Sequence, residues 1–176
     1  MTDAFSTLGL PRSAALTEEQ VRSAYFEKSK AASEAEKGGL NAAFELLLAP
    51  DKRLKHLIEI AAPSEARQWR AVAMSDDLME LFMALGKARP QAEALIEKRQ
   101  KAQSALARAL LEGQTFQVRD ALEQTGFSLD EKRRALEAAL PMLKQDDWQR
   151  LAEAQARFAY LAKWQAQVRE LLLKLM

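Results

Sequence analysis

Apolar residues along this chain recur at intervals of three and four, the repeat of an amphipathic helix, in nearly every stretch longer than ten residues. Asp3 to Leu8 reads as a short opening helix closed by Gly9-Leu10-Pro11. Thr17, with Gln20 three residues on, has the form of a capping box and opens a longer helix through Val21, Ala24, Tyr25, Ala31 and Ala32, which Gly38-Gly39 is expected to end. Leu40 to Leu48 forms a compact apolar helix, and Pro50 sits where a first helical turn accepts proline before Leu54, Leu57, Ile58 and Ala61. Pro63-Ser64 starts a further helix through Trp69 and Val72.

Beyond a division near Val72 to Ser75, Ser75-Asp76-Asp77 caps a helix carrying Leu78, Met79, Leu81, Phe82 and Leu85, with Gly86 and Pro90 expected to interrupt it. Ala92, Leu95, Ile96, Ala102, Leu106, Ala109 and Leu110 make the next stripe, terminated by Gly113. A shorter helix follows around Phe116 to Gln124, up to Gly126. Ser128 with Glu131 then opens another that Pro141 stops. From Asp146 or Asp147 a final helix carries Leu151, Ala154, Phe158, Leu161, Val168, Leu172 and Leu175, with Gln165 its one polar member. At about 1.5 Å per residue this rod is on the order of 40 Å long and needs partners along its length, so residues from 76 onward predict a three-helix-type bundle. The expected fold is all-α, with residues 1–74 as one helical subdomain and 75–176 as the other.

Composition agrees: β-branched residues are sparse, leaving little material for a sheet. The 26 basic and 25 acidic residues are interleaved, and no clustered basic face offers itself to phosphate, so nucleic acid is not an expected partner. No apolar run reaches the roughly 18 residues of a bilayer span, and the N-terminus lacks the basic start of a signal peptide. With zero cysteines a reducing cytoplasm is the expected location, and thiolate ligation of an iron–sulfur cluster is excluded. The single histidine, His56, sits between apolar helical positions with no orienting carboxylate in view, so a structural role is expected rather than catalysis. No His/Cys spacing suits a metal, and Gly38-Gly39 lacks the lysine and preceding strand of a phosphate loop. No catalytic residue, metal or cofactor is expected.

Several segments, taken in order, resemble a known family. Val21-Arg22-Ser23-Ala24-Tyr25 is similar to the core of J-domain helix II, and Asn41-Ala42-Ala43-Phe44-Glu45-Leu46-Leu47 to that of helix III. Pro50-Asp51-Lys52-Arg53 resembles the junction into helix IV, with Ala49 in place of its Asp. Asp3-Ala4-Phe5 and Leu8-Gly9-Leu10 resemble the J-domain opening. In the second half, Leu78-Met79-Glu80, and Trp148 followed by Tyr160-Leu161-x-Lys163, resemble the C-terminal domain of HscB-type J-domain co-chaperones of iron–sulfur cluster assembly. The resemblance implies a J-domain-like helical hairpin joined to a helical bundle, and a protein that binds a protein partner: an iron–sulfur scaffold or other client, and a DnaK/HscA-type chaperone.

The same alignment carries departures. The family's His-Pro-Asp would fall at Ser33-Glu34-Ala35, and none of the three is present. The loop and start of helix III are shorter than in the family by more than a dozen residues. Helix II is basic in the family, whereas here Thr17 to Lys37 holds Arg22, Lys28, Lys30 and Lys37 against Glu18, Glu19, Glu27, Glu34 and Glu36, which removes the steering field an acidic chaperone surface would feel. Arg22, Lys28 and Lys30 are the remaining candidates for chaperone docking. Leu78, Met79, Phe82 and Tyr160 match the positions with which the family binds its scaffold, while Met83, Gly86 and Pro90 stand where the family has flanking acids. Two readings of that cluster stay open: a docking patch, or ordinary bundle core. For Tyr160 and Trp164, four apart and off the main stripe, the same choice holds.

Overall fold

A computed structural model describes residues 2–67 and 74–176. Every regular element among them is helical: α1 (Ala4–Leu8), α2 (Glu18–Ala31), α3 (Glu34–Leu48), α4 (Pro50–Ala61), α5 (Pro63–Ala66), α6 (Asp76–Lys101), α7 (Ala105–Ala139), a 3-10 turn (Leu140–Met142) and α8 (Trp148–Lys174). The helix expected through Trp69 and Val72 is described only as far as α5, and the residues beyond it lie outside the described ones. By compactness the chain forms two units, Met1–Val72 with Ala135–Ala159, and Ala73–Arg134 with Tyr160–Met176. This grouping differs from a single cut near residue 75: the stretch 135–159, expected in the bundle, belongs with the first unit.

In the first unit the caps read from the sequence are in place. Asp3 caps α1 by accepting from the Phe5 and Ser6 N–H groups, and Gly9, at φ 69°, closes it in the left-handed conformation that glycine adopts without strain. Burial works against the Asp3 carboxylate. The Ser6 hydroxyl, the Arg12 guanidinium and the two backbone donors outweigh it and hold its pKa below the usual value. Thr17 and Gln20 make the reciprocal capping box that opens α2. The helix ends earlier than expected, at Ala31, and Gly38-Gly39 lie inside α3 instead of terminating α2. Ser33 and Glu36 form a second capping box that starts α3 before the glycines are reached. Each interior glycine costs about 1 kcal/mol relative to alanine, but burial of Leu40, Ala43 and Leu47 on the same helix outweighs that.

α2 and α3 form an antiparallel pair. Arg22 lies over the Phe44 ring, Tyr25 stacks on Phe44 at 4.4 Å, and the Tyr25 hydroxyl donates to Asn41 Oδ1 at 2.6 Å. Phe5, Leu8, Val21, Leu40, Leu47, Leu54 and Leu57 make the core of this unit, joined by Leu140, Leu151 and Phe158 from later in the chain. Two polar side chains are buried here. His56 Nε2 accepts from the Ala4 N–H at 3.1 Å, so the ring carries its proton on Nδ1, and the ring stacks on Phe5. Arg53 donates from Nη1 to the Leu47 carbonyl at 2.9 Å. Burial lowers its pKa and the Glu137 carboxylate partly restores it.

In the second unit the helices are longer than the sequence predicted. α6 runs through Gly86 and Pro90 without interruption. Both residues lie on its exposed side, so water can take the carbonyl that Pro90 leaves unpaired, while Leu85, Ala88, Ala92 and Leu95 hold the buried side on either flank. The break falls instead at Ala102–Ser104, where the Ser104 hydroxyl accepts from the Ala107 N–H and caps α7. α7 then continues for 35 residues through Gly113, Gly126 and Ser128, all three expected to bound helices. Leu122 and Leu129 pin its inner face. Thr115 and Thr125 are also buried there, their hydroxyls bonded back to Leu111 and Ala121 carbonyls. At Gly126 a Cβ would stand 3.4 Å from Val168 Cγ1, so the glycine marks where α7 comes close to α8.

Candidate protein-docking site

The register of α8 determines which residues of the bundle face outward. Its buried positions in this unit are Leu161, Trp164, Val168, Leu171 and Leu175, a regular alternation of three and four. The sequence reading placed Gln165 and Leu172 on this stripe. Each is displaced by one residue, because Trp164, the larger apolar group, takes the inward position at 5% exposure. Gln165 is left at the margin, donating to Asp130. Tyr160 and Trp164 therefore separate: the tryptophan is core, whereas the tyrosine lies at the surface, 36% exposed.

Around that tryptophan the candidate residues assemble. Phe82 of α6 tilts against the Trp164 ring with centroids 5.8 Å apart, and Tyr160 stacks on the same ring at 5.8 Å. Met79 and Phe82 are 45% and 47% exposed, and Met83, one residue further along the same face, is 64% exposed. Leu78 is wholly buried. Of the four residues singled out by resemblance, Met79, Phe82 and Tyr160 share a surface, and Leu78 faces inward, where it cannot touch a partner directly. It anchors the first turn of α6, in which Ser75 and Lys132 both bond the Asp77 carboxylate. Of the two readings open for Trp164, the buried one holds; what the sequence reasoning did not place is its ring as the floor under Phe82 and Tyr160. The signal was present, since choosing Trp164 over Gln165 restores an unbroken alternation of apolar residues along α8.

This surface offers thioether and aromatic groups that deform and pack, held on a rigid indole, which suits the apolar side chains of another protein. No group of three or more His, Cys, Asp or Glu side chains able to hold a metal occurs among the described residues. An open cleft of about 360 Å3 in the same unit gathers Glu93, Glu97 and Glu170. Each has a basic partner one helical turn away on its own helix: Arg89, Lys101 and Lys174. The Lys174 hydrogen bond and charge keep the Glu170 carboxyl below its usual pKa.

The candidates for chaperone docking lie in the first unit. Arg22 pairs with Glu18 at 2.6 Å and Lys30 with Glu27 at 2.8 Å, so these cations are met by acids of their own helix. Lys28 lies along Gly9, its Cε 3.2 Å from where a Cβ would stand. Ser33-Glu34-Ala35, the stretch aligned with the family's tripeptide, is the cap and first turn of α3, and only Ala32 and Ser33 connect the two helices. No helix is long and apolar enough to cross a membrane among the described residues.

No family model matches the chain, and no curated protein matches it in sequence. Among solved structures it is similar to the chaperone HscB from Vibrio cholerae, with a TM-score of 0.55 and 18% identity over 99% of this chain and 100% of that one. At that identity the likeness concerns architecture: the chain has an all-α, HscB-like fold from end to end.

Proposed function

We propose that this protein is a non-catalytic, co-chaperone-like binding protein that holds a protein partner against Met79, Phe82, Met83 and Tyr160. The observation that carries the reading is the exposed apolar face of α6, held on the buried Trp164 ring beside Tyr160. Leaving such residues in water is unfavourable, and contiguous exposed apolar patches mark interaction sites. The partner class is taken from the resemblance at the matched positions, and the HscB-like fold supports it: an iron–sulfur scaffold protein or another client. Cysteine is absent, so the protein acts on cluster chemistry only through its partner.

Stimulation of a DnaK/HscA-type ATPase is not part of this function. The His-Pro-Asp tripeptide is missing, its place is taken by a helix cap, and Arg22 and Lys30 are engaged by neighbouring acids. Calorimetry with the scaffold protein of the same genome tests the first half, and absence of binding at high micromolar concentration removes it. A single-turnover ATPase assay with the cognate chaperone tests the second, where no acceleration is expected and a several-fold increase would refute it. A second reading, a helical adaptor that reuses the fold for an unrelated partner, is favoured by Met83 and Gly86, which stand on the patch where the family carries acids. Binding of the scaffold that Phe82→Ala weakens excludes this alternative.

A further inference from the structure

α7 carries a second apolar face, independent of the docking patch. Leu106, Ala109, Leu110, Gly113 and Phe116 follow spacings of three and four. They are all exposed, on the side of the helix away from Thr115, Leu122, Thr125 and Leu129. Gly113 lies in the middle of this face. A glycine there disfavours the helix, and no neighbour accounts for it, since nothing stands within 4 Å of where its Cβ would be. Its missing side chain leaves a notch between Leu110 and Phe116 that intrachain packing does not use.

We propose that a second copy of this chain seats on this face, with the two α7 helices antiparallel across a two-fold axis near residue 111. In that arrangement Leu110 of each protomer enters the Gly113 notch of the other, and Leu106 lies against Phe116 of the other. A two-fold contact requires one patch to carry both the projection and its complementary hollow, and this stripe does. Leu106, Leu110 and Phe116 are 71%, 73% and 74% exposed. With their neighbours they offer on the order of 500 Å2 per protomer, about 1,000 Å2 in a pair, which is the lower end for a specific interface and fits a reversible dimer. The flanking charges, Arg108, Glu112, Arg119 and Glu123, are mixed in sign and do not form the basic rim that a membrane surface would call for. Glu112 of the two protomers would lie close to the axis, so their repulsion keeps the association weak.

Sedimentation velocity on the full chain across the micromolar range tests this. The wild-type mass should rise with concentration from 19.7 kDa toward twice that value. Leu110→Glu, a change at an exposed position, should remain monomeric with an unchanged circular dichroism spectrum. Gly113→Ala fills the notch while favouring the helix, so it should raise the melting temperature and weaken association, a divergence that a purely structural glycine would not produce. Glu112→Gln should tighten the dimer. A wild-type chain that stays monomeric throughout overturns the proposal, including one that floats with anionic vesicles or binds only another protein. So does a Leu110→Glu chain that associates as the wild type does.

Discussion

Both units bury polar side chains, and they differ in which ones and in what they expose. Among the described residues the first buries His56 and Arg53, each bonded to the backbone of another helix, at Ala4 and Leu47, whereas the second buries Thr115 and Thr125, each bonded back to its own helix. The second also sends large apolar side chains outside. Apart from Phe26 and Met142, the large exposed apolar residues among the described ones, from Met79 and Phe82 to Phe116 and Leu173, all belong to it. A buried polar group with one partner fixes a fold; an exposed apolar group on a rigid floor leaves contact energy for a second molecule. The first unit therefore uses its buried polar groups to tie its own helices together, and the second leaves its apolar surface in water.

Substitutions can break this contrast. Trp164→Ala should cost about 3–5 kcal/mol of stability in denaturant titration and abolish docking with it, because the same ring is core and floor. His56→Ala should cost about 2–3 kcal/mol, since it leaves the Ala4 N–H buried without an acceptor and opens a cavity beside Phe5, yet partner affinity of the folded protein should not change. Phe82→Ala should do the reverse, with stability within about 1 kcal/mol of wild type and partner affinity reduced by about 2 kcal/mol, roughly thirty-fold by calorimetry.

Smaller effects are expected at Arg22 and Asp3. Arg22→Ala, which removes the cation over the Phe44 ring as well as the pair with Glu18, should cost about 0.5–1 kcal/mol. Asp3→Asn should lower stability by about 0.5 kcal/mol at neutral pH, because the amide keeps the capping oxygen and loses the charge that meets Arg12 and the helix N-terminus. The folded pKa of Asp3 lies below its unfolded value, so its contribution is complete above the ordinary carboxylate range and is lost as pH falls through the folded pKa. Wild type and variant should accordingly converge in acid denaturation once pH falls beneath the lowered folded pKa of Asp3. Smallest of all, Lys30→Ala should change stability by less than about 0.5 kcal/mol, as exposed pairs within one helix do. A substantial loss at Lys30 would show that this cation has a role beyond its own helix.

The fold was legible wherever one local interaction decides an outcome. Asp3, Thr17, Pro50 and Ser75 each start a helix as read, because a cap or a proline acts within one turn. Glycine was misleading for the opposite reason. Gly38, Gly39, Gly113 and Gly126 each weaken a helix by about 1 kcal/mol, a penalty that burial of Leu40, Leu47, Leu122 and Leu129 elsewhere on the same helices exceeds. That burial depends on chain neighbours distant in sequence, as does the inclusion of Leu140, Leu151 and Phe158 in the first core. Of the four residues matched by motif resemblance, Met79, Phe82 and Tyr160 are exposed and Leu78 is buried, because residues that adjoin in a motif diverge by about 100° around a helix, and Met79 turns outward as Leu78 turns in.

The connection between α2 and α3 has a consequence for what can be grafted onto it. With two residues linking the helices, and with Ser33 and Glu36 bonded to each other across the start of α3, there is no slack in which three new side chains could project as a loop. Point substitutions at 33–35 would replace a cap with a poorer one and leave any new tripeptide wound into a helical turn. Displaying three residues there as an exposed loop would take added chain length, which no single-residue change supplies.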